Sequence, residues 1–240
     1  MKLSRRRVWA ILRKELRDYR RTRSLLVGMA VFPLIFIVQP LVVVLALTAD
    51  ASNPLRHEHV LLYMLGIPAL LPGIVAGTAV AGEREQGTLE PTLTTPITRD
   101  EFLLAKALAA IVPSIAIAYV VYLLFLVLVE LFSQPGIASA LIRGPDLLAQ
   151  LLFTPLLVGW SIWVGMAIST RARDSRAAGQ FGALGGLPSV FVIVLIAFNA
   201  IPATLAVALG AAALLLVLNF LGWRVTSRLF DRERLMTGPS

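Results

Sequence analysis

The sequence predicts an all-α polytopic membrane protein: six transmembrane helices, an N-terminal amphipathic interfacial helix, and a short cytoplasmic helix between spans two and three. Three observations carry this. Apolar residues fill 58% of the 240 positions and charged ones only 15%, with a mean hydropathy of +0.81, which is more apolar surface than one soluble core buries. Six apolar stretches reach the length of about 20 residues that a helix needs to cross a hydrocarbon core of roughly 30 Å while satisfying its own backbone. The Lys and Arg residues fall almost wholly on one set of the intervening loops.

The first element occupies residues 1–24. Val8, Ile11, Leu12, Leu16 and Tyr19 share one arc of a helix, and Arg6, Arg13, Lys14, Arg17, Arg20 and Arg21 the other. Such a helix suits the membrane interface, with its apolar arc at the acyl boundary and its cations toward anionic headgroups. A solvated basic tail is the plainer reading of the same charges. Ser4-Arg5-Arg6-Arg7 resembles a twin-arginine start, but a polar interval separates it from a first apolar stretch longer than the roughly 7–15 residues of a signal core, so no cleaved signal is expected.

The six-span domain covers residues 25–223, with spans at about 25–47, 60–81, 105–132, 147–169, 177–199 and 203–223. Between Arg176 and Arg224 lie 47 residues without a formal charge, divided only by the turn residues Asn199-Ala200-Ile201-Pro202. Prolines at 33, 68, 72, 113, 155 and 188 interrupt spans one to five. Gly73 to Gly77 and Gly182 to Gly186 repeat the small-x-x-x-small spacing, which serves either close packing or a hinge. Residues 224–240 form a tail.

Orientation follows from the cations. Of the 22 Lys and Arg, 10 lie before residue 24, 3 between Gly82 and Lys106, 3 at Arg171, Arg173 and Arg176, and 4 after residue 223; only Arg56 and Arg143 lie on the other side. Both termini and the polar segment 82–104 are therefore expected in the cytoplasm, with the chain in the plasma membrane. Net charge of +8 does not imply nucleic acid, because the basic residues sit beside apolar spans.

That polar segment is built from helix signals. Thr98 and Glu101 have the spacing of a capping box, so span three starts early, and Pro96 blocks run-on from upstream. Thr88 is a candidate cap for a short helix carrying Leu89 and Leu93 on one face, with Glu90 and Pro91 in its first turn. An isolated helix this short is marginal in water, so docking on a partner would help it form.

Glu83-Arg84-Glu85-Gln86-Gly87-Thr88-Leu89-Glu90, Thr95-Pro96, Arg99-Asp100-Glu101 and Lys106 resemble the cytoplasmic signature of ABC-2 type transporter permeases. The amphipathic start and six spans extend that resemblance over nearly the whole chain. It implies the membrane subunit of an ABC transporter, an exporter in its usual form, that forms the translocation pathway and works with a separate P-loop ATP-binding subunit and a second permease copy or paralogue. The short inner helix would be the coupling helix. Glu83, Glu85, Gly87, Thr88, Leu89, Glu90 and Leu93 would form or flank the ATPase-facing surface, while Arg99, Glu101 and Lys106 would anchor the base of span three. Pro91-Thr92 and Ala105 depart from the family's usual residues there.

Chemistry within the chain is sparse. The lysines follow Met1, Arg13 and Ala105, so no Walker A sequence exists; ATP and Mg would bind on the partner, and no cofactor on this chain. There is no Cys, hence no thiolate site. His57 and His59 flank Glu58 in the first outer loop, where a solvated loop is a simpler reading than a metal site. Ser161 has no intramembrane base, and packing explains it better than catalysis. A secondary transporter or channel without an ATPase is the alternative, and a membrane-embedded enzyme or assembly factor a third. Ion-coupled carriers usually place ionisable residues in their spans, where this sequence offers little beyond Glu130.

Overall fold

The computed structural model describes residues 4–21, 23–48, 59–88, 97–172, 174–197 and 200–230, and among these the regular structure is entirely helical. The elements in order are α1 (Arg5–Arg21), α2 (Arg23–Ala46), a 3-10 turn (Val60–Leu65) leading into α3 (Gly66–Glu85), α4 (Arg99–Phe132), the short α5 (Ile137–Leu141), α6 (Gly144–Arg171), α7 (Ser175–Leu184), α8 (Leu187–Ala197) and α9 (Leu205–Leu229).

Five segments are long and apolar enough to cross a membrane: Leu61–Glu85, Arg99–Phe132, Gly144–Arg171, Ser175–Ile196 and Leu205–Leu229; the apolar Pro33–Ala46 is shorter. Helix α4 begins at Arg99, as the spacing of Thr98 and Glu101 predicts: Thr98 accepts from the Glu101 amide and Glu101 accepts from the Thr98 amide. Other boundaries differ from the sequence expectation. Helix α6 begins before residue 147 and takes Asp146 into its buried face. The tail expected from residue 224 instead starts as helix through Leu229, held by the buried Thr226, whose hydroxyl donates to the Trp163 carbonyl at 3.1 Å. The fifth expected span is divided at Gly185 and Gly186 into α7 and α8, where Pro188 supplies no amide to the ladder and a Cβ at Gly186 would collide with the Ala69 backbone.

Helix α3 is the central element: 78% of its most apolar window is buried, against 6% for α9. It packs chiefly on α6 and α7. The crossing with α7 depends on glycine, since a Cβ at Gly73 would collide with the Gly182 carbonyl and one at Gly182 with the Gly73 carbonyl. The small-residue spacing thus serves backbone contact. One core cluster, around Val80, Phe102, Leu103, Ile162, Met166 and Phe230, lies at the level where α1 joins the bundle, and Tyr19 packs against it. A second, around Leu61, Tyr122, Phe125, Ile137 and Leu141, closes the opposite end.

Helix α1 corrects one expectation. Its apolar arc, assigned to the acyl boundary, turns toward protein: Ile11 and Leu12 are buried and Val8, Leu16 and Tyr19 half-buried. The reason is Glu15, buried on that same arc, which finds its cation on α4. Arg6, Arg13 and Arg17 remain exposed.

Candidate functional site

The predicted site residues that the structure describes converge where α1, α3 and α4 meet. Lys106, about two turns inside α4, is only 2% exposed. Its Nζ lies 3.2 Å from Glu15 Oε1 on α1 and 3.2 Å from Glu83 Oε1 on α3, and it donates to the Ala79 carbonyl at 2.9 Å, with the Phe102 ring 5.2 Å away. Two hydrogen bonds, to Glu15 and the Ala79 carbonyl, and the charge of Glu83 together offset the burial of the ammonium. Lys14 donates to the same Glu83 oxygen at 3.2 Å from the exposed side. Two carboxylates and two ammonium groups balance. Partial burial draws the Lys14 ammonium down, but Glu83 outweighs it and holds the group above its ordinary value. Burial, aided by Glu15 and Glu83, pushes the Tyr19 phenol up, so it stays neutral beside them.

Glu101 forms the second joint. Besides capping α4 it accepts from the Ser4 amide at 2.7 Å and pairs with Arg7 at 3.4 Å, tying the start of α1 to the start of α4. Arg99 is exposed and donates to the Ser227 carbonyl at 3.4 Å, while the Ser227 hydroxyl donates to Asp100 at 2.6 Å, so the first turn of α4 also holds the last turn of α9.

The end of α3 grips a third connection. Gly87 has φ +65, its amide donates to Arg84 and the Thr88 amide to Glu83, which is a Schellman termination that glycine accommodates without a Cβ penalty. The Thr88 hydroxyl donates to the Glu83 carbonyl as well, at 3.3 Å. Arg84 donates to the Ala172 and Thr170 carbonyls at 2.7 and 3.0 Å, and Glu85 accepts from the Ser175 amide at 2.8 Å and its hydroxyl at 2.6 Å. A cation therefore meets the carbonyl end of α6 and a carboxylate the amide end of α7, each matched to the local dipole. Sequence reasoning left Arg84 out of the site; the alternating Glu-Arg-Glu was the only local signal. Leu89, Glu90 and Leu93, with the short helix expected after Thr88, lie outside the described residues.

The opposite end holds a cluster that sequence reasoning missed. Asp146, 3% exposed, lies 2.8 Å from His59 Nδ1 and accepts from Arg143 Nη2 at 2.8 Å and Nε at 3.0 Å. His59 is thus half-buried against α6, in place of the solvated loop expected, because Asp146 draws both the imidazole and the Arg143 guanidinium onto the helix start. His57 lies outside the described residues, and among the described ones no group of three or more His, Asp or Glu is placed to hold a metal. Glu130 is exposed near the same end, and Ser161 is fully buried between helices.

A bundle of long apolar helices, knitted at one end by buried ion pairs, has the build of a multi-pass membrane protein. The chain belongs to the ABC-2 family transporter proteins, whose family model matches residues 9–225. It is accordingly a membrane permease of an ABC transporter, a transport component and not the catalytic one, in a family whose permeases generally pair with an ATP-binding subunit. A comparison with curated proteins gives no match.

Proposed function

We propose that this chain is the permease subunit of an ATP-driven exporter of the plasma membrane, with both termini cytoplasmic, moved by a separate P-loop subunit that docks on segment 82–104. ATP and Mg belong to that partner, and a second permease copy or paralogue completes the pathway. The first of six spans is α2: its 24 residues extend about 36 Å at 1.5 Å per residue, enough for the hydrocarbon core. The cationic arc of α1 serves the interface on the cytoplasmic side, and residues after Thr88 form the coupling helix.

One observation carries the coupling reading. The two ends of segment 82–104 are not loose attachments: Glu83 at its start and Lys106 just beyond its end share a buried ion pair, with Glu15 of α1 as the third member. A displacement of the segment would thus be delivered to α1, α3 and α4 together, and through Arg84 and Glu85 to α6 and α7. A buried ionisable group, Asp146, favours the alternative of an ion-coupled carrier; its carboxylate, however, is already engaged by Arg143 and His59.

The test is co-purification from the native membrane in mild detergent, which is expected to bring down a P-loop ATPase. Glu90→Lys is expected to weaken that association at least tenfold while membrane insertion stays intact. Glu85→Lys is expected to weaken it too, with an added loss of order at Ser175. Recovery of the permease without any ATPase, together with unchanged transport in ATP-depleted vesicles, would overturn the proposal.

A further inference from the structure

An open groove of about 770 Å³ runs between α6, α7 and α9, walled by Trp160, Val164, Ile168, Phe181, Leu221 and Val225. Its polar atoms are largely spent on the protein. Trp160 Nε1 donates to the Gly185 carbonyl at 3.1 Å, the Thr226 hydroxyl to the Trp163 carbonyl at 3.1 Å, and the Asp174 carboxylate accepts from the Arg176 and Ala177 amides at 3.1 and 3.0 Å. Arg171 is different. It lines the groove at the end of α6, where a last-turn cation would ordinarily serve the helix's own carbonyls. Arg84 has taken that role from another helix, at Thr170 and Ala172. The Arg171 guanidinium is left exposed, with no side-chain hydrogen bond or ion pair among the described residues.

We propose that this groove binds one anionic phospholipid, an acyl chain lying along Trp160, Val164 and Phe181 and the headgroup phosphate meeting Arg171. The walls match an alkyl chain, since they offer it no unsatisfied polar group that it would have to bury. The guanidinium matches a phosphate, to which it can donate twice in one plane. Asp174 lines the same mouth, and its carboxylate is turned to the amides of α7, which it caps. A zwitterionic lipid would fit the walls equally and gain less at the mouth. The groove ends at the level of Arg84 and Glu85, so under the orientation proposed above the lipid belongs to the cytoplasmic leaflet.

Two of the protein's four tryptophans, Trp160 and Trp163, line the groove and report on it directly. With the exposed Trp9 replaced by Phe, the full chain is reconstituted in phosphatidylcholine vesicles containing increasing fractions of spin-labelled phosphatidylglycerol or spin-labelled phosphatidylcholine. Labelled phosphatidylglycerol is expected to reach half-maximal quenching at about fivefold lower mole fraction, the usual gain from one basic residue at an anionic surface. Arg171→Gln is expected to abolish that preference, and Arg171→Lys and Arg228→Gln to keep it. Ala167→Phe, which fills the groove and leaves every charge in place, is expected to abolish it by a second route. Equal quenching by the two lipids, a preference that survives Arg171→Gln, its loss in Arg228→Gln, or quenching by neither because a second copy covers the groove would each overturn the proposal. The assay needs no ATPase, so its failure leaves the ATP-coupled reading untouched.

Discussion

Lys106 carries an ammonium group into a site almost closed to water, and the energetics of such a group depend on its partners. Replacing it with Met would leave Glu15 and Glu83 facing each other with only Lys14 to balance them, and breaking a buried pair in this way costs about 3–5 kcal/mol. Lys106→Met is therefore expected to lower the thermal midpoint sharply in detergent. Adding Glu15→Gln and Glu83→Gln to it is expected to recover most of the loss; a triple variant no more stable than the single one would rule out the charge argument. Asp174 gives a pH-dependent counterpart at the surface. Amides of Ala177 and then Arg176 hold its carboxyl below the ordinary value. A depressed value in the folded state means that the cap's contribution is present above the unfolded carboxyl's range and is lost as pH falls through the folded one. Hydrogen exchange at the first turn of α7 is expected to speed up on acidification, and Asp174→Asn to flatten that response.

At the scale of elements, glycine separates two functions that sequence alone treats alike. Gly182 and Gly73 allow α3 and α7 to touch backbone to backbone, so Gly182→Ala forces a shift of main chain and is expected to cost about 1–3 kcal/mol. Gly82 lies in the last turns of α3 with open space where a Cβ would stand. Gly82→Ala is expected to stabilise by up to about 1 kcal/mol, through helix propensity alone. Thermal unfolding of the two variants side by side checks the contrast. The same logic accounts for α9, which has little buried surface and is pinned to α6 by polar contacts: Asn219 donates to the Leu156 carbonyl at 2.9 Å and Thr226 to that of Trp163. Asn219 and Thr226 act here as interhelical ties.

For the whole molecule, the charge asymmetry makes a topological prediction that the absence of native cysteine renders easy to test. Single cysteines at Gln86 and Gln134, both exposed and at opposite ends of the bundle, are expected to react with a membrane-impermeant maleimide from opposite sides of intact cells, Gln134 from outside. Labelling of Gln86 from outside would invert the proposed orientation. The ion-paired end and the Asp146 end also differ in kind. One joins α1, α3, α4, α6 and α7 through contacts that cross between helices, while the other closes a single turn onto α6. Movement applied at the first end has many routes into the bundle.

Part of this was legible in the sequence, and the division is a physical one. The all-helical, apolar character of the chain, the capping box at Thr98 and the glycine spacing depend on neighbours within a turn or two, or on the chain's partition between lipid and water, and sequence states both directly. The pairing of Lys106 with Glu15 and Glu83, the service of Arg84 to another helix's carbonyls, the withdrawal of His59 onto Asp146 and the Arg171 left unspent depend on which helices touch. Contacts across 23 to 91 residues of chain, from Lys106–Glu83 to Lys106–Glu15, have no local signal, because their free energy arises only when two buried charges are brought to the same depth by helices packed for other reasons. Sequence determined what each segment is and on which side it is expected to lie; only the tertiary structure decided which charges meet, and therefore which remain available to a partner or a lipid.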